Sequence, residues 1–463
     1  MTGTFGSFTT ALSALNYTRV AMDVASSNIA NVSTDGYTRR RVEAASVGGP
    51  TQPAMWSRYD GHGDGVTVTG VSRLTDGLLD SRMRTEHGNQ SYLDVRQTAL
   101  DRLEQGVGEP GTTGVSAALA DFRASWHDLV NNPGNAAARS QVLGRATTLA
   151  EGIAAQSRQI AATQGDQRLQ LSSVVGEVNS LATGLADANR AIASGTMAGA
   201  DVSTLLDTRD QLTLRLTELT GGTASIRSDG GSDFAVAGLS LVSGKDASVF
   251  RVASGVTATG SADGNPVTFS LTAPGGSAAT LSTPPRGEVG ALAELIDVTL
   301  PAYQVGLDAV AQQLADTVNT QHQGGFDAAG NPGVALFAYT AGSPASSLTV
   351  AISDPALLAA SSISGGVLDG GNADLLGATS GVEGSYQQLV NGLGTTVQAA
   401  RRAAGNQQVL TNQFDGAHEQ LAGVNLDEET VTMMQNQRAF EAASKVLSTL
   451  DSVLDTLINR MLV

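Results

Sequence analysis

The sequence predicts a mainly α fold with inserted β domains: terminal helices that pair as a coiled coil, an inner helical bundle, and outer β-rich insertions. Three observations predict it. Both ends of the 463-residue chain carry narrow apolar stripes at heptad spacing, the middle alternates long helical stretches with Gly-, Ser-, Thr- and Val-rich ones, and aromatics make up only 4% of residues. Cores must then be built from Ala, Leu and Val, which suits helix packing better than aromatic-rich barrels. A chain of this length calls for about three or four compact units.

At the N-terminus, Phe5, Phe8, Leu12, Leu15, Met22 and Ile29 follow one another at spacings of 3, 4, 3, 7 and 7, with Arg19 and Ser26 interrupting the row. Such a stripe lies on one helix face and is too narrow to bury itself. At the C-terminus, Leu426, Met433, Phe440, Leu447, Leu454 and Met461 stand seven apart, and Ala443, Leu450 and Leu457 fill the neighbouring row. That is the pattern of a coiled-coil seam. The C-terminal helix has a clear start: Asn425 can cap, Glu428 can reach back from the third helical position, and Asp427 to Glu429 face the positive end of the helix dipole.

Between the two helices the first segment, SNIANVSTDGY at 27–37, breaks the N-terminal stripe. Asn31 tolerates a left-handed cap, Ser33 and Thr34 offer local hydrogen bonds, and Asp35-Gly36 turns the chain. Alternating runs such as TRRRVEAASV and GVTVTGVSRL, separated by GGP and DGHGDG, read as strands between 36 and 75. A helical region follows from about Thr75 to Leu219, broken at 106–114 and 131–134, then a β domain over 221–285. Helix returns over 287–323 and 383–422, on either side of a mixed segment. The expected units are a terminal coiled-coil domain (1–35 plus 424–463), a helical bundle (36–220 plus 286–423, with the strands near 36–75), a β-rich insertion (221–285) and a small Gly/Ser-rich insertion (334–382).

Composition argues against several function classes. The net charge of −17, with two lysines among 27 basic residues, suits neither nucleic acid nor anionic lipid, because each phosphate contact needs a cation. The one basic cluster, Arg39-Arg40-Arg41, is too short to reverse this. Without cysteine there is no disulfide or thiolate chemistry. His418-Glu419 opens like a zinc-protease helix, but Ala422 stands where the second histidine is needed. The first fifteen residues lack the basic and apolar blocks of a secretory leader, and no run of about eighteen apolar residues suggests a membrane span.

The segment ALSALNYTRVAMDVASSNIANVSTDGYTRRRV at 11–42 resembles the N-terminal signature of the bacterial flagellar rod, hook and hook-associated proteins: a helix, then Ser27-Asn28-Ile29-Ala30-Asn31, Thr34, Gly36-Tyr37 and an Arg-rich strand from Arg39. Residues 423–461 are similar to the C-terminal end of the same family. DVSTLLDTRDQLTLRLTEL at 201–219 and the run 286–333, with Asn319-Thr320-Gln321-His322-Gln323-Gly324 and the turn Gly330-Asn331-Pro332-Gly333, resemble its hook-associated branch. The likeness is weak over 221–285 and 334–382, where it implies no particular fold.

The resemblance implies a structural, non-enzymatic protein without metal or cofactor, exported by the flagellar type III apparatus without a cleaved signal peptide. Its place would be outside the cell, at the junction of hook and filament. Its partners would be further copies of itself, about eleven per turn of a ring or layer, the hook protein, the next hook-associated protein on the filament side, and an export chaperone on the C-terminal helix. Nucleic acid and membrane are not expected partners. Self-association is expected at Phe5, Phe8, Leu12, Leu15, Met22, Asn28, Ile29, Asn31, Gly36 and Tyr37, and at Leu426, Met433, Phe440, Leu447, Leu450, Leu454 and Leu457. A rod or hook protein, and an adhesin or enzyme carried by the inserted domains, are the alternatives.

Overall fold

The computed structural model describes residues 2–47, 65–257 and 259–460, and side chains from residue 6 to residue 456 within those spans. The GGP turn, most of the DGHGDG loop, Met461 and the side chains of Phe5 and Leu457 lie outside the described set.

The chain leaves along α1 (Thr2–Ala30), forms a hairpin of β1 (Arg40–Val47) and β2 (Gly65–Arg73), and enters a bundle of α2 (Gly77–Val107), α3 (Val115–Asn131), α4 (Ala136–Met197) and α5 (Ser203–Thr220). Seven short strands follow: β3 (Thr223–Ile226), β4 (Ser232–Val236), β5 (Leu239–Ser243), β6 (Asp246–Ala247), β7 (Val249–Ser254), β8 (Thr268–Thr272) and β9 (Ala278–Thr280). Helix resumes with α6 (Gly287–Glu294), a π-helical turn (Leu295–Thr299) and α7 (Leu300–Gln323). The chain then passes β10 (Phe337–Ala338), α8 (Pro344–Ser347), β11 (Thr349–Val350) and α9 (Gly371–Gly377). It returns along α10 (Gly381–Ala422) and ends in α11 (Leu426–Arg460). The expected breaks fall at 108–114 and 132–135. A further break at 198–202 divides α4 from α5.

The strands form antiparallel sheets in the orders β1-β2, β3-β4-β5-β6, β7-β8-β9 and β10-β11. Their open edges and strand ends are finished by asparagines on helices. On α4, Asn179 donates to Phe250 O (2.8 Å) and accepts from Phe250 N (2.8 Å), which fixes β7. Asn189 donates to Ser232 O (2.8 Å) and Gly244 O (2.7 Å) and accepts from Ser232 N (2.8 Å). On α7, Asn319 does the same for Leu336 and Phe337. Each amide takes up backbone groups that the ladders leave open, so buried backbone groups stay paired.

Two apolar clusters organise the interior. One joins Trp126 and Leu129 of α3, Leu149 and Ile153 of α4, Leu307 and Leu314 of α7, and Tyr386 of α10. The other joins Leu171, Val178 and Leu185 of α4 and Leu216 and Leu219 of α5 with Phe234, Phe250 and Phe269 of the sheets. The β strands therefore share a core with helices rather than closing on their own. The 334–382 segment likewise belongs to the first cluster, through Leu336, Phe337, Leu348, Leu358 and Leu376, and does not stand apart as a small insertion.

The Asn319-to-Gly324 motif is what pins that segment. His322, fully buried, donates from Nδ1 to Val334 O at 2.6 Å, and its Nε2 accepts from Ala359 N at 2.9 Å. Burial pushes its pKa down, keeping the ring neutral as this tautomer requires. Gln321 reaches Asn372 at 2.7 Å.

Candidate assembly surface at the terminal helix pair

α1 and α11 pack antiparallel: Ser26 and Asn28, near the end of α1, meet Met433 and Glu429, near the start of α11. On α11 the half-buried side chains include Met433, Asn436, Phe440, Ala443, Leu447, Leu450 and Leu454, alternating three and four apart. Leu426, in line with them by sequence, stands before the contact begins and is 46% exposed.

On α1 the buried row is not the one that the large residues predict. Fully buried are Ala11, Thr18, Ala21, Ala25 and Asn28, with Ala14 half-buried between them. Small residues at these heptad positions let α1 lie close to its neighbours, α11 and the β1-β2 hairpin. Phe8 and Leu12 are 39% and 45% exposed, and Leu15, Met22 and Ile29 are half-buried, one step round the helix. The conspicuous stripe of α1 thus runs along the margin of the contact, half-covered at Leu15, Met22 and Ile29, where Ser26 meets Met433, and open at Phe8 and Leu12.

The SNIAN segment forms the corner between this pair and the bundle. Asn28 satisfies four bonds: its Nδ2 donates to Arg40 O and Glu429 Oε2, both at 3.0 Å, and its Oδ1 accepts from Tyr37 OH (2.9 Å) and Arg40 N (3.1 Å). Asn31 is not a left-handed cap, since Ala237 is the one non-glycine with positive φ among the described residues. It ends α1 by donating its amide to Ser27 O at 2.9 Å, while Thr34 Oγ1 donates to Asn31 Oδ1 at 3.2 Å. Gly36 does adopt positive φ (71°), beside the Gln211 side chain.

Arginines then tie the corner in both directions. Arg39 contacts Glu429 (2.7 Å) and Glu428 (2.8 Å), and its N–H donates to Ala422 O at the end of α10 (2.8 Å). Glu428 therefore pairs with Arg39 and does not close a capping box, although Asn425 does accept from Asp427 N at 2.9 Å. Arg40 stacks over Tyr37, 5.1 Å from its ring centre, and reaches Asp207 at 3.3 Å. Arg73 pairs with the same Asp207 (2.8 Å) and with Asp210 (2.7 Å). The acidic motif on α5 thus anchors the hairpin, a role that nothing in its sequence marks.

Among the described residues there is no cluster of three or more side chains placed to hold a metal, and no helix long and apolar enough to cross a membrane. The site is one of packing and polar clasps.

Comparison with known proteins fits such a site. Residues 100–337, half of the chain, match the model of the flagellar hook-associated protein FlgK helical domain. This chain belongs to the FlgK family of flagellar structural proteins. Residues 8–38 match the flagella basal body rod protein family, and 420–461 the C-terminal domain of the basal body rod FlgEFG proteins. The flagellar hook-associated protein 1 of Bacillus subtilis is 28% identical over 510 aligned positions that cover 100% of this chain and 99% of the relative. That of Escherichia coli is 27% identical over 71% of this chain and 59% of its own length. The hook junction protein FlgK from Burkholderia pseudomallei shares the fold, with a TM-score of 0.64 at 17% identity over 73% of this chain and 99% of that one.

Proposed function

We propose that this FlgK-family chain joins hook to filament as a ring or layer of identical copies, about eleven per turn, with the α1–α11 pair turned inward and the strands outward. The observation that carries the reading is the apolar margin of α1, with Phe8 and Leu12 exposed and Leu15, Met22 and Ile29 only half-covered by the chain's own fold. Heptad-spaced apolar surface of this kind is suited to a neighbouring copy. The hook protein on one side and the next hook-associated protein on the other are its partners, and the chain carries no catalysis. It leaves the cell through the flagellar type III channel, with a chaperone covering the apolar face of α11.

Antibody labelling of intact flagella tests this. Label confined to the junction of hook and filament is the expected result, and label along the hook or the filament would overturn it.

A further inference from the structure

Among the described residues of α11, the one fully buried side chain is a carboxylate: Glu429, 3% exposed. It accepts from Asn28 of α1, itself 1% exposed, and from Arg39. The rest of the contact is repetitive. Ala11, Thr18 and Ala25 form one row of α1 at seven-residue intervals and Ala14 and Ala21 another, covered between the β1-β2 hairpin and a helix whose Met433, Phe440, Leu447 and Leu454 recur at the same interval. Sliding α11 by one heptad would again set large apolar side chains against small ones, so packing alone distinguishes registers poorly. Thr18 does not help, because its hydroxyl bonds back to Ala14 O and Leu15 O within its own helix. Asn28 continues the Ala14-Ala21 row and Glu429 opens the Asn436-Ala443-Leu450 row, and these two break the repeat.

We infer that the buried Asn28–Glu429 hydrogen bond is the register lock of the terminal helix pair, with Glu429 as its positioning residue. In a register slipped toward the corner Glu429 passes into the unwound turns and leaves Asn28 and Arg39 together, and Asn28, 1% exposed, is left with a buried N–H that has lost its acceptor, the costly way to lose a hydrogen bond. The short link 423–425 does not enforce the register by itself. A slip toward the corner needs only the first two turns of α11 to unwind, and Glu429 is the one residue they bury fully. The lock does not depend on the chain's place in a flagellum.

The absence of cysteine makes the test direct. Ser26 and Met433 are neighbours, with Oγ and Sδ 3.9 Å apart. In the full-length protein, the cysteine pair S26C/M433C should be linked by a short bis-maleimide, and S26C/F440C should not. Adding E429L should shift the linked product from the first pair to the second, because α11 slides one heptad toward the corner. E429Q, which keeps an acceptor for Asn28, should restore the original pair. Circular dichroism checks that helix content is retained in E429L, whose new leucine suits a seam position. An E429L protein that links only S26C/M433C, or one that loses the helices and links neither pair, would overturn the lock.

Discussion

His87 lies 2.8 Å from Asp415 through Nε2 and 3.4 Å from Glu218 through Nδ1, so one imidazole on α2 holds both α10 and α5. Glu218 first, then Asp415, raise its pKa to about 9 against the opposing effect of burial. Arg215, bonded to both Glu177 and Glu218, shares the cluster. A pKa raised on folding from 6.5 means that the contribution is complete below about pH 6.5 and is lost as pH rises through about 9. Melting temperature should therefore fall between pH 7 and pH 10. His87→Gln should lose on the order of 1–2 kcal/mol at pH 7, after allowance for solvent screening, and should flatten that decline.

Phe440 is half-buried at the centre of the α11 seam. Phe440→Asp puts a charge there with no partner, at a cost of about 2 kcal/mol or more to the helix pair. The two internal cores do not include it and should unfold at the same denaturant concentration as in the parent. Cells carrying the variant should be non-motile with filaments missing; normal filaments would refute the inward seam.

The terminal pair buries few large apolar side chains: α1 buries mainly alanines, and among the described residues of α11 only Glu429 is fully buried, whereas α4 has Val142, Leu149, Ile153, Val178 and Leu185. Hydrogen exchange on the isolated monomer should thus be fast in α1 and α11 and slow in α4 and α7. Equal protection throughout would contradict this.

Trp126 is completely buried, edge-on to Phe122 at 6.0 Å and to His322 at 6.3 Å. Trp126→Ala should cost about 3–5 kcal/mol in equilibrium denaturation, most of it from the cavity between α3 and α7.

Gly36 turns the chain at a φ of 71°, with the Gln211 side chain where a β-carbon would stand. Gly36→Ala should cost about 1–3 kcal/mol through strain and a displaced Gln211, which otherwise donates to Asp35 O at 2.6 Å. Thermal melting measures the loss.

Legibility in the sequence followed the size of side chains. Met433, Phe440, Leu447, Leu450 and Leu454 could be read as a seam because large apolar residues mark it. On α1 the large residues did not mark the buried row of the helix pair, since a close helix contact selects Ala11, Ala21 and Ala25, which periodicity weighs lightly. The 334–382 segment hid its share of the core because Leu336, Leu348, Leu358 and Leu376 follow no helical or strand period. Asn28 was legible as part of a motif, but its partner Glu429 lies 401 positions away and looked like an ordinary charge at a helix start.

α4 runs unbroken for 62 residues, about 93 Å, from the cluster around Trp126 to the one beneath the sheets. Mechanically it is a beam built into both halves of the body. A load taken up at the sheets reaches α3 and α7 as bending of a single rod, so the two halves yield together elastically instead of swinging about a hinge.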